Sequence, residues 1–454
     1  MLNRALLERY RCSESLADFS LSGELSPNAG YFKFGPNAVC YGQSAAGSRS
    51  PELVPGLYDT DNDVKIHDAT VDLPFDPNSV IDNLRLERYA TDHNLNGTQP
   101  LGRKALRLAY YSLRPLFPVS VRRHIQKVYL RGWDNRPFPR WPVDTSVENI
   151  LEHCLAVEMK AKGLAEIPFI WFWPEGKSGC ALMTHDVETT RGRDFCSALM
   201  DIDDEYGIKA SFQVVPEKRY DVPESYLSGL RDRGFEIAVQ DLNHDGHLYS
   251  QRDEFLRRAE LIRQYRKQYK ATGFRAAILY RNLEWLPELD FSYDMSVPNV
   301  AHLDPQSGGC CTLFPYFIGK TLEIPVTVTQ DYSLFHIIGE YTLDLWKQQA
   351  RLILGKHGLM NFIVHPDYII DEKPQQTFRD LLAHLAKLRA EQNVWIPLPH
   401  EVDEWWRARV QMQLIDDGGT PRITGPGNER ARIAYARLQN GQLTYSFDSQ
   451  RATH

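Results

Sequence analysis

The stretch Ala181-Leu182-Met183-Thr184-His185-Asp186-Val187-Glu188 runs from an apolar strand directly into ionisable side chains. A carboxylate at the end of a buried strand is costly unless it binds a cation, carries a proton or caps a helix. Strand periodicity puts Asp186 and Glu188 on the same side of the chain, so both acids can converge on one metal or one proton. The plainer alternative is a turn whose acids cap a helix starting near Arg191. Other apolar runs meet similar residues: Gln240-Asp241-Leu242-Asn243-His244-Asp245-Gly246-His247, Arg275, and His365-Pro366-Asp367-Tyr368. Two carboxylates, a histidine cluster, an arginine and a distant histidine make the inventory of a metal-dependent hydrolase. Each alone is weak, since a single such histidine is more often hydrogen-bonded structure.

These residues need elements that bring them together. Strand-like runs cover 181–186, 210–215, 235–240, 273–278, 322–328, 359–364 and 394–398, and helical patterns lie between most of them, as at 191–206, 251–269, 341–357 and 375–391. Such alternation implies parallel strands joined by crossover helices, in a barrel or a doubly wound sheet. A barrel gathers the carboxyl ends of its strands on one rim, where chemistry is usually built.

Thr184-His185-Asp186-Val187-Glu188, then Glu236-Ile237-Ala238 leading to His244, then Gly273-Phe274-Arg275, and finally Val364-His365-Pro366-Asp367-Tyr368 resemble, in order, the motifs of the polysaccharide deacetylase family. The resemblance covers about the middle half of the chain. It implies an α/β fold, an incomplete or distorted (β/α) barrel, with an N-terminal mixed extension and a short C-terminal β appendage. It also implies a divalent metal, zinc, and removal of an N-acetyl group from an amino-sugar-containing substrate. By the resemblance Asp186 matches the general base, Arg275 the arginine that orients it, and His365 the general acid that protonates the leaving amine. Metal ligation falls to Glu188, His244 and the position of Gln240. The family's metal carboxylate usually directly follows the base, where this chain has Val187. Its first metal histidine is replaced by Gln240, and the proline two positions after the arginine by Ala277. Gln240 therefore leaves a second reading: a catalytically impaired, deacetylase-like protein that binds carbohydrate or regulates an assembly. His247 is a candidate to fill the vacancy, and Asp294 or Asp367 to hold the His365 imidazole.

With 454 residues, 43% hydrophobic and 24% charged, the chain is that of a soluble globular protein with one large catalytic unit and additions at both ends. The expected division is an irregular or β N-terminal region (1–100), a basic helical connector (101–176), the barrel (177–403) and a tail with a hairpin (404–454). A net charge of −7 argues against general nucleic-acid binding. Residues Met1–Cys12 lack an apolar core of signal-peptide length, and no run is long enough to span a bilayer. Seven cysteines without framework spacing suit free thiols in a reducing compartment, so a cytoplasmic protein is expected. A small amide or carbohydrate precursor is then the expected substrate.

From His93 to Trp133 there is no acidic residue, and two basic amphipathic helices are expected over 101–131. They suit peripheral contact with an anionic membrane or a phosphate-bearing substrate, although solvated faces packed on the main unit are the simpler reading. Pro168-Phe169-Ile170-Trp171-Phe172-Trp173-Pro174 reads as a buried strand or a plug under the barrel. A helix is expected from Ser146 to Lys162, and a hairpin with an Asn440-Gly441 turn near the C-terminus.

Overall fold

The computed structural model describes residues 1–45, 49–90, 130, 132–417 and 420–448. The basic helices expected over 101–131 lie, save for Leu130, outside these residues. At the centre is an eight-stranded sheet: β1 (Cys180–Val187), β2 (Ala210–Val214), β3 (Glu236–Gln240), β4 (Gly273–Arg275), β5 (Tyr293–Asp294), β6 (Tyr316–Ile318), β7 (Thr321–Glu323) and β8 (Leu359–Val364). Their order is β6-β7-β5-β4-β3-β2-β1-β8. All neighbours are parallel except the β6–β7 hairpin at one edge. Every residue of β1, β2 and β8 is buried, as expected of parallel strands covered on both faces. The crossovers include α1 (Thr190–Glu205), α2 (Glu224–Asp232), α3 (Arg252–Tyr269) and α4 (Asp344–Leu354), and α5 (Glu372–Gln392) follows β8. The fold is thus α/β, a distorted (β/α) barrel.

The distortion has a local cause. After Glu323 the chain leaves the ladder, and it meets β8 through side chains. Thr327 Oγ1 donates to Leu359 O at 2.5 Å and accepts from Asn361 N at 3.0 Å, while Asn361 Nδ2 donates to Ile324 O at 3.3 Å. These polar side chains replace the missing backbone ladder and satisfy buried groups that would otherwise be orphaned. The run at 322–328 is therefore a strand only over Thr321–Glu323, and the run at 394–398 supplies a single bridge, Cys180 to Trp395. The expected strand over 273–278 ends at Arg275, where the chain turns through Ala277–Leu279 with left-handed backbone at Ile278 and Leu279.

The aromatic run splits into a strand, Glu166–Ile170, and a plug. The strand pairs antiparallel with Ile433–Gln439, which forms a hairpin with Gln442–Ser446, so the C-terminal hairpin is built into a three-stranded sheet. Trp173 donates its Nε1–H to His357 O just before β8, beneath the amino ends of the strands and opposite the site. The helix Ser146–Ala161 packs on the N-terminal strand Thr70–Leu73 and on the C-terminal hairpin. All seven cysteines are free thiols. Among the described residues no helix is long and apolar enough to cross a membrane.

Candidate active site

Alternation along β1 turns Thr184 and Asp186 to one face, while His185 turns to the other and pairs with Asp203 on α1 at 3.0 Å. Arg275, the last residue of β4 and fully buried, reaches across to both. Its Nη1 donates to Thr184 Oγ1 at 2.8 Å and to Asp186 Oδ1 at 2.5 Å, and its Nε to Met295 O at 3.0 Å. A guanidinium held at three points fixes the carboxylate it bonds.

Gln240 ends β3 in register with Arg275. From Nε2 it donates to Asp186 Oδ2 at 3.1 Å and to Glu188 Oε1 at 3.3 Å. One neutral amide thus holds the two carboxylates side by side, with its nitrogen toward them. Its own oxygen is buried without a hydrogen-bond partner.

Glu188, one step past the strand, is the meeting point of two histidines: His244 Nε2 lies 2.7 Å and His365 Nε2 3.4 Å from its Oε1. The His244 contact is short but not in hydrogen-bonding geometry, so that buried ring nitrogen has no hydrogen-bond partner. His244 sits on a loop with left-handed backbone at Asp241 (φ 53°), His244 (φ 54°) and Gly246 (φ 74°). Arg258 of α3 fastens this loop with a two-pronged pair to Asp245, at 2.7 and 2.9 Å, and is itself gripped by Glu254 at 2.6 Å.

His365 follows β8. Its Nδ1 is 2.7 Å from Asp331 Oδ1, and its backbone N donates to Asp331 Oδ2, also at 2.7 Å. The orienting acid is therefore Asp331, not the expected Asp294 or Asp367. Asp294 lies on β5, bonded to Ser296 and paired in register with Glu323, and Asp367 has a buried Oδ1 with no partner. Position explains the miss: Asp331 sits in the irregular chain after 322–328, where strand periodicity no longer applies. The expectation that His247 fills the vacant metal position is also overturned. Its ring is half exposed, 3.7 Å from Asp245, and it is not among the donors that converge with Glu188.

The charges reinforce one another. Burial alone would raise the Glu188 carboxyl, but the charges of His244 and His365 outweigh it and hold the group well below the usual carboxylate range. Burial would lower the His365 imidazole, yet the Asp331 and Glu188 carboxylates push it well above its ordinary value. Glu188 is thus kept ionised and His365 protonated.

Donor atoms of Asp186, Glu188 and His365 all lie within 4.8 Å of one another. With the unpartnered His244 Nε2 beside Glu188, the carboxylate oxygens and this imidazole nitrogen fit a divalent cation, while the His365 nitrogen can join them only once its proton has left. Sequence reasoning placed Asp186, Glu188, Gln240, His244, Arg275 and His365 on one rim, and the structure brings all six together. It missed Thr184, Asp331 and Arg258, whose roles lie in what they hold.

No protein-family profile matches the sequence, and no curated protein matches it. Among solved structures, the chain is similar to a Mycobacterium smegmatis protein whose name places it provisionally among polysaccharide deacetylases, at 17% identity over 52% of this chain and 93% of that one, with a TM-score of 0.44. It is similar to Puue allantoinase at 12% identity over 52% and 92% of the two chains, TM-score 0.40. It is also similar to a mutant peptidoglycan deacetylase from Bacillus subtilis at 11% identity over 51% and 93%, TM-score 0.32.

Proposed function

We propose that the chain is a metal-dependent hydrolase that removes an N-acetyl group from an amino-sugar-containing substrate, with the chemistry carried by the barrel over residues 177–403. The observation that supports this best is a proton acceptor and a proton donor, separately anchored, on either side of Glu188. Asp186 is fastened by Arg275 at 2.5 Å and His365 by Asp331 at 2.7 Å.

Asp186 takes a proton from the attacking water, and Arg275 keeps the carboxylate oriented as it does so. A C–O bond forms at the acetyl carbon and the C–N bond breaks. His365 delivers its Nε2 proton to the departing nitrogen, and Asp331 stabilises the imidazole in both protonation states. Acetate and a free amine result. Glu188 and His244 would hold the metal, zinc by donor type, with Gln240 beside them and Asp186 and His365 within reach. When bound, a divalent cation would supply polarisation of the amide carbonyl and a water of lowered pKa.

The same Gln240 favours a second reading, a carbohydrate-binding or regulatory protein with impaired catalysis, because an amide nitrogen turned to both carboxylates stands where an imidazole ligand is expected. Acetate release over a panel of N-acetylated sugars, with zinc added, separates the two. In the hydrolase, Asp186→Asn lowers turnover by at least about 100-fold, the scale of general-base catalysis. It costs some stability as well, because Arg275 keeps only a neutral partner. Equal turnover by wild type and Asp186→Asn rules the assignment out.

A further inference from the structure

Where the chain after Glu323 leaves the ladder, the barrel's open seam holds a cleft that the chemistry above does not use. Its walls include Trp141, Leu279 and Val326 on an apolar side and Asp304, Thr329 and Ser333 on a polar one. Leu279 and Val326 pack with Ile363 in a small apolar cluster separate from the main core. Ile363 pairs in register with Thr184, so it lies on the same face as Asp186, one strand step of about 7 Å before His365. The apolar wall of the cleft thus continues beneath the reacting groups. Its free volume is about 30 Å³, room for about two water-sized groups. At the polar end Ser333 is 1% exposed and its Oγ has no hydrogen-bond partner, nor has the buried Thr329 Oγ1. Asp304 Oδ1 accepts from Gln330 Nε2 at 3.0 Å. Ser333 opens the π-helical segment Ser333–Ile338 two residues past Asp331, so one short segment supplies both the acid behind His365 and a hydroxyl of the cleft. Such segments recur at functional sites.

We infer that this cleft receives the acyl half of the amide and admits acyl groups longer than acetyl by about two heavy atoms, those ending in a hydroxyl in preference. The inference rests on the proposed hydrolase reading and extends its acyl range. His365 donates to the departing nitrogen, and the bulk of the substrate on that nitrogen must extend out of the rim. The acyl group is the half that the interior can enclose. An acetyl methyl meets the cluster of Leu279, Val326 and Ile363 and leaves Ser333 Oγ and Thr329 Oγ1 unpaired, which burial makes costly. Any water bonded to these hydroxyls leaves when a longer chain enters, and a hydroxyl end repeats its bonds where a methyl end does not. An end bearing negative charge is disfavoured by the Asp304 carboxyl.

The first test compares N-(3-hydroxypropanoyl)glucosamine with N-butanoylglucosamine, whose acyl groups match in heavy-atom count and differ in one hydroxyl. In wild type with zinc added, kcat/KM should be about tenfold higher for the hydroxylated group, the scale of one hydrogen bond, and Ser333→Ala should remove most of that preference. Val300→Phe, which fills the cleft from a half-buried wall, should lower both relative to N-acetylglucosamine by at least about tenfold. Each ratio is taken within one protein, so a smaller folded fraction cancels. The second test needs no turnover: an NMR titration with 3-hydroxypropanoate and butanoate, the acyl products. Wild type should bind 3-hydroxypropanoate more tightly by about the same factor, and Ser333→Ala should bind the two alike. Equal binding of the two acids by wild type overturns the cleft assignment. So does hydrolysis of N-acetylglucosamine with none of the longer groups, and the hydrolase reading then stands alone. A Ser333-dependent preference in binding with no hydrolysis of any amide supports the cleft and overturns the hydrolase.

Discussion

Gln240 donates from one nitrogen to Asp186 and Glu188 at once, whereas a neutral imidazole in its place has a single N–H to give and a lone pair left for a cation. Gln240→His should therefore raise zinc affinity by about 10- to 100-fold, the usual span for a change next to a metal. Titrating zinc into both proteins measures it, and unchanged affinity would put position 240 outside the ligand shell. Elsewhere a buried acid contributes to the pH dependence of stability. Asp304, bonded by Gln330 at 3.0 Å, is pushed by burial from 3.8 up to about 6, against the lowering effect of Arg281. The folded state holds this proton more tightly than the unfolded chain. Its stabilisation is complete below the unfolded value and is lost as pH rises through the folded one, about 3 kcal/mol in all at 1.36 kcal/mol per unit. Asp304→Asn should remove that loss and be the more stable protein at pH 7. Urea unfolding at pH 5 and pH 8 reads the difference between the two slopes.

At the scale of elements, the site depends on how strands end rather than on how they run. β3 and β4 stop in register at Gln240 and Arg275, which aligns the amide and the guanidinium along one rim. His244 comes from a loop whose left-handed residues are unfavourable for side chains with a Cβ, so something must hold it. Arg258 does so from α3 through Asp245. Arg258→Ala should lower zinc affinity by about 10- to 100-fold at a stability cost of about 1 kcal/mol, because the pair is partly exposed. Arg258→Lys should recover only part, since an ammonium cannot make the two-pronged bond. The check is a zinc titration in which Arg258→Ala adds nothing to the defect of His244→Ala. Additive defects would mean that Arg258 does not act through His244.

Across the whole molecule, segments distant in sequence are joined by buried polar groups. Arg409, fully buried on the helix Pro399–Gln411, donates to the carbonyls of Trp171, Ile170, Glu8 and Arg9, at 2.9, 2.7, 2.8 and 2.5 Å. It ties the C-terminal helix, the plug and the N-terminal helix Arg4–Tyr10 at one point. Arg409→Leu leaves those carbonyls unpaired and should cost about 3 to 5 kcal/mol, visible as a lower urea midpoint. A change below about 1 kcal/mol would show that the segments hold without it. Near the rim, Glu87 pairs with Arg281 and accepts from Gly309 N, while Tyr89 donates to Gly309 O at 2.7 Å. Gly309 has φ 141°, and a Cβ there would meet Asn299 O at 2.3 Å, so only glycine lets the chain pass.

What the sequence by itself determined were the positions of β1, β2, β3, β4 and β8 and the ionisable residues at their ends, because short apolar runs and the helical patterns between them are local signals. Asp186, Glu188, Gln240, His244, Arg275 and His365 were all legible in this way, each in or just beyond a run. The hairpin at Asn440-Gly441 and the helix from Ser146 were legible through their turn and start residues. Tertiary structure alone decided the rest. Strands β5, β6 and β7 have two or three residues each, too few for a period to register. Barrel closure through Thr327 and Asn361 depends on side chains meeting across more than thirty residues of chain. Asp331 was invisible as the partner of His365 for the same reason: a hydrogen bond between irregular segments 34 residues apart leaves no periodic trace, and only the folded geometry selects it over Asp294 and Asp367.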